Sequence, residues 1–399
     1  MRILLSFMGG SGHFLPLVSI AHAAQDTGHE VAFVSGGSMQ PTVETMGFSV
    51  VNNAVERPEA QPPQRLSLQT VNVKREEDDL REKFARHAAR SRAAEMLEVC
   101  ARWMPDVIVC DEVDFGSMIA GEKLGIPYAS VVVIASGSFI RLEVVGEALN
   151  EVRAGYHLPP DSELKMLSRD LVLTPVPRSF RDPAFPLPPT AHLIRPEMPE
   201  AQPSALSISF PEPDRPLVYF TLGTIFNLES GDLFTRVLEG LRDLPINVVM
   251  TVGPHIQPAE FGAQPDHIHI AQYIPQASIL PHCAAVISHG GSGSVIAALA
   301  HGLPMVLLPM GADQPHNAAR CEALGVARVL DVVAAAPTLI RDALKAVLSE
   351  PSYRAAAKGL RDEIAAMPHP SSAVPLLERL ATDKSAFRSM RHTCQVYRT

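Results

Sequence analysis

With 399 residues, 46% of them hydrophobic and 19% charged, the chain is long enough for two globular domains, each with its own core. A net charge of −9 and a pI near 5.9 exclude a general nucleic-acid or anionic-membrane binder, because both need a basic surface. Five cysteines (Cys100, Cys110, Cys283, Cys321, Cys394) lack C-x-x-C spacing, which argues against a disulfide framework or a structural zinc site and suits a reducing cytoplasm.

The opening MRILLSFMGGSGH reads as a first core strand: its apolar run is short, and glycines follow in place of a cleavage site for a signal peptide. No uninterrupted apolar run approaches the ~20 residues of a membrane span. Strand candidates in the first half are RILLSF, HEVAFVS, FSVVN, DVIVCD and YASVVVIA. The second half offers LVYFTLG, INVVMTV, IHIAQYI, AAVISH, PMVLLPM and ARVLD. These runs are apolar on both faces, with helix-length segments between most of them, the pattern of parallel sheets covered by helices on both sides.

The series occurs twice, so the expected class is α/β with two Rossmann-like domains facing across a cleft. The N-terminal domain is expected over 1–205, the C-terminal domain over 206–380 and a polar, basic tail over 381–399. The stretch 182–216 holds ten of the 35 prolines, which fix φ and remove backbone donors, so it reads as the interdomain linker and as neither helix nor interior strand. Ligands of such domains gather at the carboxyl ends of the strands. Residues 52–105 break the strand rhythm: a loop is followed by VKREEDDLREKFARHAARSRAAEMLEVCARW, a long charged helix. That helix is either a solvated surface element or a wall of a substrate pocket.

Three glycine-bearing turns invite a ligand reading. FMGGSGHFLPL fails the dinucleotide fingerprint, because Leu15 stands where the third glycine belongs and the second strand ends in serine and glycine without an acidic residue. A nicotinamide dehydrogenase is therefore disfavoured, and the turn's notable feature is His13, just beyond a strand's carboxyl end; a packing or capping role is its alternative. YFTLGT places Gly223 and Thr224 after a strand, a common and weak phosphate signal. AAVISHGGSGSVIAALAHG is the strongest: a buried strand, a glycine-rich turn, and an apolar helix closed by Gly302 with Pro304 beyond. The unpaired N–H groups at such a helix start suit phosphate, with His289, Ser292 and Ser294 as added donors. A turn that uses glycine only for backbone freedom is the alternative.

The segments SGHFLPLVSIAHAAQDTGHEVAFVS, YIPQASILPHCAAVISHGGSGS and GLPMVLLPMGADQPHNAARCEALGVA together resemble family-1 glycosyltransferases of the GT-B fold. Closest in pattern are the bacterial enzymes that attach sugars to macrolides, enediynes and other natural products. The resemblance spans nearly the whole chain, and its C-terminal block is the more specific.

It implies that His13 is the general base and that Asp111, in DVIVCDEVDFG, orients its imidazole. Asp114 is the substitute one turn on, and a helix-capping Asp111 is the alternative. It further implies that Gly12, Thr224, His289, Gly290, Gly291, Ser292, Gly293 and Ser294 hold a nucleoside diphosphate. Tyr273 would stack on the base, the Ile274 backbone would read its edge, and Gln276 matches the family's Pro-Gln. Asp313 and Gln314 match the pair that holds donor-sugar hydroxyls; a helix N-cap with a surface neighbour is their alternative. Neither a metal nor another cofactor is then expected: the chain has no D-x-D motif, and its EEDD run lies in the charged helix.

Plant relatives carry a glutamate that grips the ribose hydroxyls where this chain has Ala297, which favours a thymidine diphosphate (dTDP) deoxysugar over a uridine diphosphate (UDP) sugar. The implied activity is inverting, metal-independent transfer of that sugar to a hydroxyl of a small, largely apolar acceptor. Two rivals share the fold, a nucleotide-sugar epimerase and a non-catalytic nucleotide-sugar-binding subunit. Segments 52–90 and 135–160, expected to shape the acceptor site, carry no readable chemistry. A homodimer is compatible with the sequence, which does not specify oligomeric state.

Overall fold

The computed structural model describes residues 1–35, 37–52, 64–197 and 208–383. Outside the described residues lie Gly36, the middle of the proline-rich stretch, residues 53–63, on which part of the expected loop falls, and residues 384–399 with Cys394.

Two wholly parallel sheets organise the chain. The first contains β1 (Arg2–Ser6), β2 (Glu30–Val34), β3 (Ser49–Val50), β4 (Val107–Asp111), β5 (Tyr128–Val131), β6 (Leu171–Thr174) and β7 (Ala191–Leu193). Their order is β3-β2-β1-β4-β5-β6-β7. The second contains β8 (Leu217–Thr221), β9 (Asn247–Thr251), β10 (Ile268–Ala271), β11 (Ala285–Ser288), β12 (Met305–Leu307) and β13 (Ala327–Val329), in the order β10-β9-β8-β11-β12-β13. Central strands such as VIVCD and AVIS are buried at every position, which explains why they read as continuous apolar runs and not as alternating ones.

In each sheet the strand order reverses once, between β1 and β4 and between β8 and β11. Ser6 lies beside Cys110 across the first reversal, and Ser288 beside Thr221 across the second. A crevice opens beyond the carboxyl ends at such a point, because the connecting helices diverge to opposite faces. The turns carrying His13, Asp111, Thr224 and His289 all sit there.

Three expectations are corrected. The stretch read as linker supplies β7, whose Ala191 pairs with Val172; as an edge strand it tolerates proline neighbours that an interior strand would not. With Ile194 buried in the same core, the first domain's structure runs well into 182–216. The chain's last described helix, over 373–383, returns to the first domain, where Ala373, Val374 and Leu377 pack with Phe14 and Leu17. Residues 373–380 therefore leave the C-terminal unit in which they were expected. Finally, β6 is additional to the expected series, its short LVLT run being followed closely by prolines.

The charged segment is continuously helical. It begins as α2 (Val73–Asp79), passes through a π-helical stretch (Leu80–Ala88) and ends as α3 (Ala89–Trp103). It is no mere solvated helix, for α3 packs closely on α4 (Phe115–Leu124). Gly116 allows this approach: a Cβ there would lie 2.5 Å from the Ala89 carbonyl oxygen. Among the described residues no helix is long and apolar enough to cross a membrane.

Candidate active site

His13 lies in the first turn of α1 (Ser11–Asp26), directly after the GGSG turn that leaves β1. Gly9, at φ +113°, permits both the turn and the ring's placement, since a Cβ would stand 2.9 Å from His13 Cδ2. His13 Nδ1 is 3.4 Å from Asp111 Oδ2. That distance is long for a hydrogen bond, and catalytic pairs commonly tighten only when substrate is bound. The Asp111 carboxylate is fully buried and fixed by backbone N–H groups of Met8 (2.7 Å), Val113 (2.7 Å) and Asp114 (3.0 Å). Burial pulls the imidazole pKa down, but the charge and hydrogen bonding of Asp111, joined by Asp313 and Glu112, leave it above the usual 6.5. The influence of Asp313, from the other domain, places both sides of the cleft around this ring.

Helix capping at α4 belongs to Asp114, whose Oδ1 accepts from the Ser117 N–H; Asp111 does not cap that helix. Beneath the pair lies a polar layer that the sequence reading did not include. Asp114 Oδ2 accepts from Ser6 Oγ (2.5 Å) and Ser117 Oγ (2.8 Å), and the Arg92 guanidinium stands 3.8 Å away. Burial and the charge of Asp111 push Asp114 up, while Arg92 and the two hydroxyls oppose the shift. Arg92 also donates to the Phe7 carbonyl (3.2 Å), bracing the end of β1. Its signal was present: Arg92 falls among Ala89, Ala93 and Met96 on the buried face of α3, an unusual position for an unpartnered cation. Glu112, next to Asp111, accepts from the Val133 (2.7 Å) and Ile134 (2.5 Å) N–H groups. Burial pushes its carboxyl up to about 7, against the lowering effect of Arg181.

Across the cleft, α5 (Ser292–Ala300) starts immediately after His289 and the two glycines. Gly291, its N-cap, has no side chain with which to occupy the first N–H groups. The His289 ring is clasped between Gly223 and Gly291, where a Cβ would approach Nε2 to 2.9 and 2.5 Å. Burial pushes the His289 pKa down to about 4, a Thr221 backbone hydrogen bond opposing, so the ring is neutral at pH 7. Its Nδ1 is buried without a hydrogen-bond partner among the described residues. Thr224 lines a cavity of about 190 Å³ with Ile225, Asn227, Leu228, Pro254 and His255. Tyr273 is 71% exposed and free to present its ring, Ile274 is buried, and Gln276 Nε2 lies 3.4 Å from Ser294 Oγ. Gly12 is in the first turn of α1, with open space where its Cβ would be.

Asp313 and Gln314 begin α6 (Gln314–Ala323). Gln314 is buried, its Oε1 accepting from the Met310 (2.8 Å) and Gly311 (3.2 Å) N–H groups. Asp313 Oδ2 accepts from Ser292 Oγ (2.6 Å) and Asn317 Nδ2 (2.7 Å). The single Ser292 proton therefore points to Asp313, while its oxygen accepts from the Ala135 N–H (2.8 Å) of the first domain. Asn317 is a second residue the sequence reading missed: one turn after Asp313, fully buried, it accepts from the Ser136 N–H at 3.1 Å. The main chain at 135–136 thus joins the second domain's turns at Ser292 and Asn317 directly. Among the described residues no group of three or more His, Cys, Asp or Glu is arranged to hold a metal ion.

Residues 235–380 match the family described as erythromycin biosynthesis protein CIII-like, C-terminal domain. The 4'-demethylrebeccamycin synthase of Lentzea aerocolonigenes is 28% identical over 95% of this chain and 99% of its own. The 3-alpha-mycarosylerythronolide B desosaminyl transferase of Saccharopolyspora erythraea is 26% identical, covering 96% and 99%. The solved spinosyn rhamnosyltransferase SpnG superposes with a TM-score of 0.78 at 24% identity, over 95% of this chain and all of that one; its complex with thymidine diphosphate gives 0.77. The chain has the GT-B fold and is similar to glycosyltransferases over nearly its whole length. In this fold the two turn systems, one after β1 and β4 and one after β8 and β11, face each other as the two halves of one cleft.

Proposed function

We propose that the glycosyltransferase moves a deoxysugar, with inversion, from a thymidine diphosphate donor to a hydroxyl of a small, largely apolar natural-product acceptor. The observation that carries this reading is the buried Asp111 carboxylate behind His13, at the carboxyl end of one sheet and within electrostatic reach of Asp313 on the other. With Nδ1 turned toward Asp111, His13 Nε2 is the atom that takes the acceptor hydroxyl proton. The acceptor oxygen attacks the anomeric carbon from the face opposite the diphosphate, whose bond to that carbon breaks as the new bond forms. Asp111 steadies the imidazolium, and three backbone N–H groups hold its carboxyl group in place behind the ring. Charge growing on the leaving diphosphate meets the N-terminal amides of α5 and the Thr224 turn. In this reading the helix terminus does the work a divalent cation does elsewhere, and transfer persists in a chelator.

Support for the donor comes from relatives named for desosamine transfer and from SpnG, solved with thymidine diphosphate. Ala297, in the middle of α5, has no hydrogen-bonding side-chain group with which to require a ribose 2′-hydroxyl. The test uses purified protein, dTDP- and UDP-sugars, and a panel of hydroxylated apolar acceptors. The account expects nucleoside diphosphate release only when acceptor is present, faster from dTDP donors, with product anomeric configuration opposite to the donor's by NMR. Turnover of donor without acceptor, or retained configuration, contradicts it.

A further inference from the structure

The segment over 64–79 belongs to the first domain but lies along the second. Arg65 pairs with Glu260 (2.7 Å), the Leu66 N–H donates to the Leu228 carbonyl (2.7 Å), and Leu68 packs on Gly231, where a Cβ would lie 2.9 Å from the Leu68 nitrogen. The segment ends at Glu76 in α2, whose Oε2 accepts from the Ala312 N–H at 2.8 Å. Gly311 leaves room for that carboxylate, since a Cβ there would stand 3.2 Å from Glu76 Oε2.

Ala312 adopts φ +51°, an uncommon left-handed conformation for a residue with a side chain. Three successive N–H groups line this turn. Gln314 satisfies those of Met310 and Gly311 from within the donor domain, and the third is satisfied only by Glu76, from the other domain. The next residue is Asp313. A second branch reaches the same place: Glu77 pairs with Arg141, Arg141 donates to the Ser138 carbonyl, and Ser138 Oγ lies 3.0 Å from His316 Nδ1 on α6.

We propose that Glu76 is a positioning residue for the donor sugar: by capping the Ala312 N–H across the cleft, it completes the turn that presents Asp313 and Gln314 when the domains are closed. The proposal rests on the reading of Asp313 and Gln314 as the sugar-holding pair. The Glu76 carboxylate bonds the Ala312 N–H and no residue read as holding the diphosphate, so its effect is expected on the sugar and not on the diphosphate.

Calorimetric titration of the full chain with thymidine diphosphate and with dTDP-glucose tests this. The proposal expects wild-type protein to bind the sugar nucleotide more tightly than the diphosphate alone. Glu76→Ala binds thymidine diphosphate within about twofold of wild type but loses about tenfold or more in affinity for dTDP-glucose, the size expected for a lost bond to a charged acceptor. Glu76→Gln, which keeps an oxygen for the Ala312 N–H, stays within about threefold of wild type. Equal weakening of both ligands in Glu76→Ala, or Glu76→Gln as weak as Glu76→Ala, overturns the proposal. Asp313→Asn separates the two ideas. If it weakens dTDP-glucose binding while Glu76→Ala does not, only the role of Glu76 fails. If neither variant changes that binding, the sugar-holding reading of the turn fails with it.

Discussion

At the residue scale the chemistry depends on which groups near His13 hold a proton. In the proposed mechanism His13 acts as a base in its neutral form, and its pKa is raised from the usual 6.5 in the folded protein, the Asp111 carboxylate outweighing burial. Transfer (kcat/KM) therefore falls as pH drops through that raised value and levels off above it. Glu112, pushed up to about 7, titrates nearby and could be mistaken for the responsible group. Glu112→Gln decides the matter, because its amide oxygen still accepts from Val133 and Ile134 while its titration is gone. The account expects the acid limb to persist in Glu112→Gln, moved to lower pH by loss of a negative neighbour; disappearance of the limb would assign it to Glu112. That His13 and Asp111 stand together was anticipated only through the family resemblance, His13 lying just beyond β1 and Asp111 ending β4. Asn317 and Glu76 gave no such signal, since their roles arise from contacts between segments far apart in the chain, while Arg92 was marked by its place among apolar residues on one helix face.

At the scale of elements, strand patterning was the most legible feature. Continuous β-branched runs located the central strands of both sheets, while β6 and β7, short and set among prolines, escaped it. The charged helix shows why composition misleads: REEDDLREK looks fully solvated, yet one face of the same helix carries Ala85, Ala89, Ala93 and Met96 into the core. Its seating depends on Gly116. Gly116→Ala puts a methyl group 2.5 Å from the Ala89 oxygen and 2.6 Å from Arg92 Cβ, so α3 and α4 must separate. Overpacking of this kind costs about 1–3 kcal/mol. Because Arg92 braces the end of β1, transfer should fall along with the thermal midpoint. A variant with wild-type midpoint and rate would show that this close approach is unimportant.

For the whole molecule, the interdomain arrangement was the least legible part. Alternating strands and helices implied two domains and a cleft, and the proline-rich stretch marked roughly where one ends. The return of the helix over 373–383 to the first domain was hidden, because an amphipathic helix carries no mark of which domain will cover its apolar face. Hidden too was the seam in which Ala135, Ser136 and Glu76 bond to turns of the second domain. The central claim is that a proton removed by His13 on one domain drives departure of a diphosphate held on the other. Single-turnover transfer and nucleoside diphosphate binding, measured side by side in wild type and His13→Ala, test it most directly. The account predicts that transfer falls about 10²–10⁴-fold, as for loss of a general base, while diphosphate affinity stays within about twofold. Transfer at the wild-type rate by His13→Ala would contradict it.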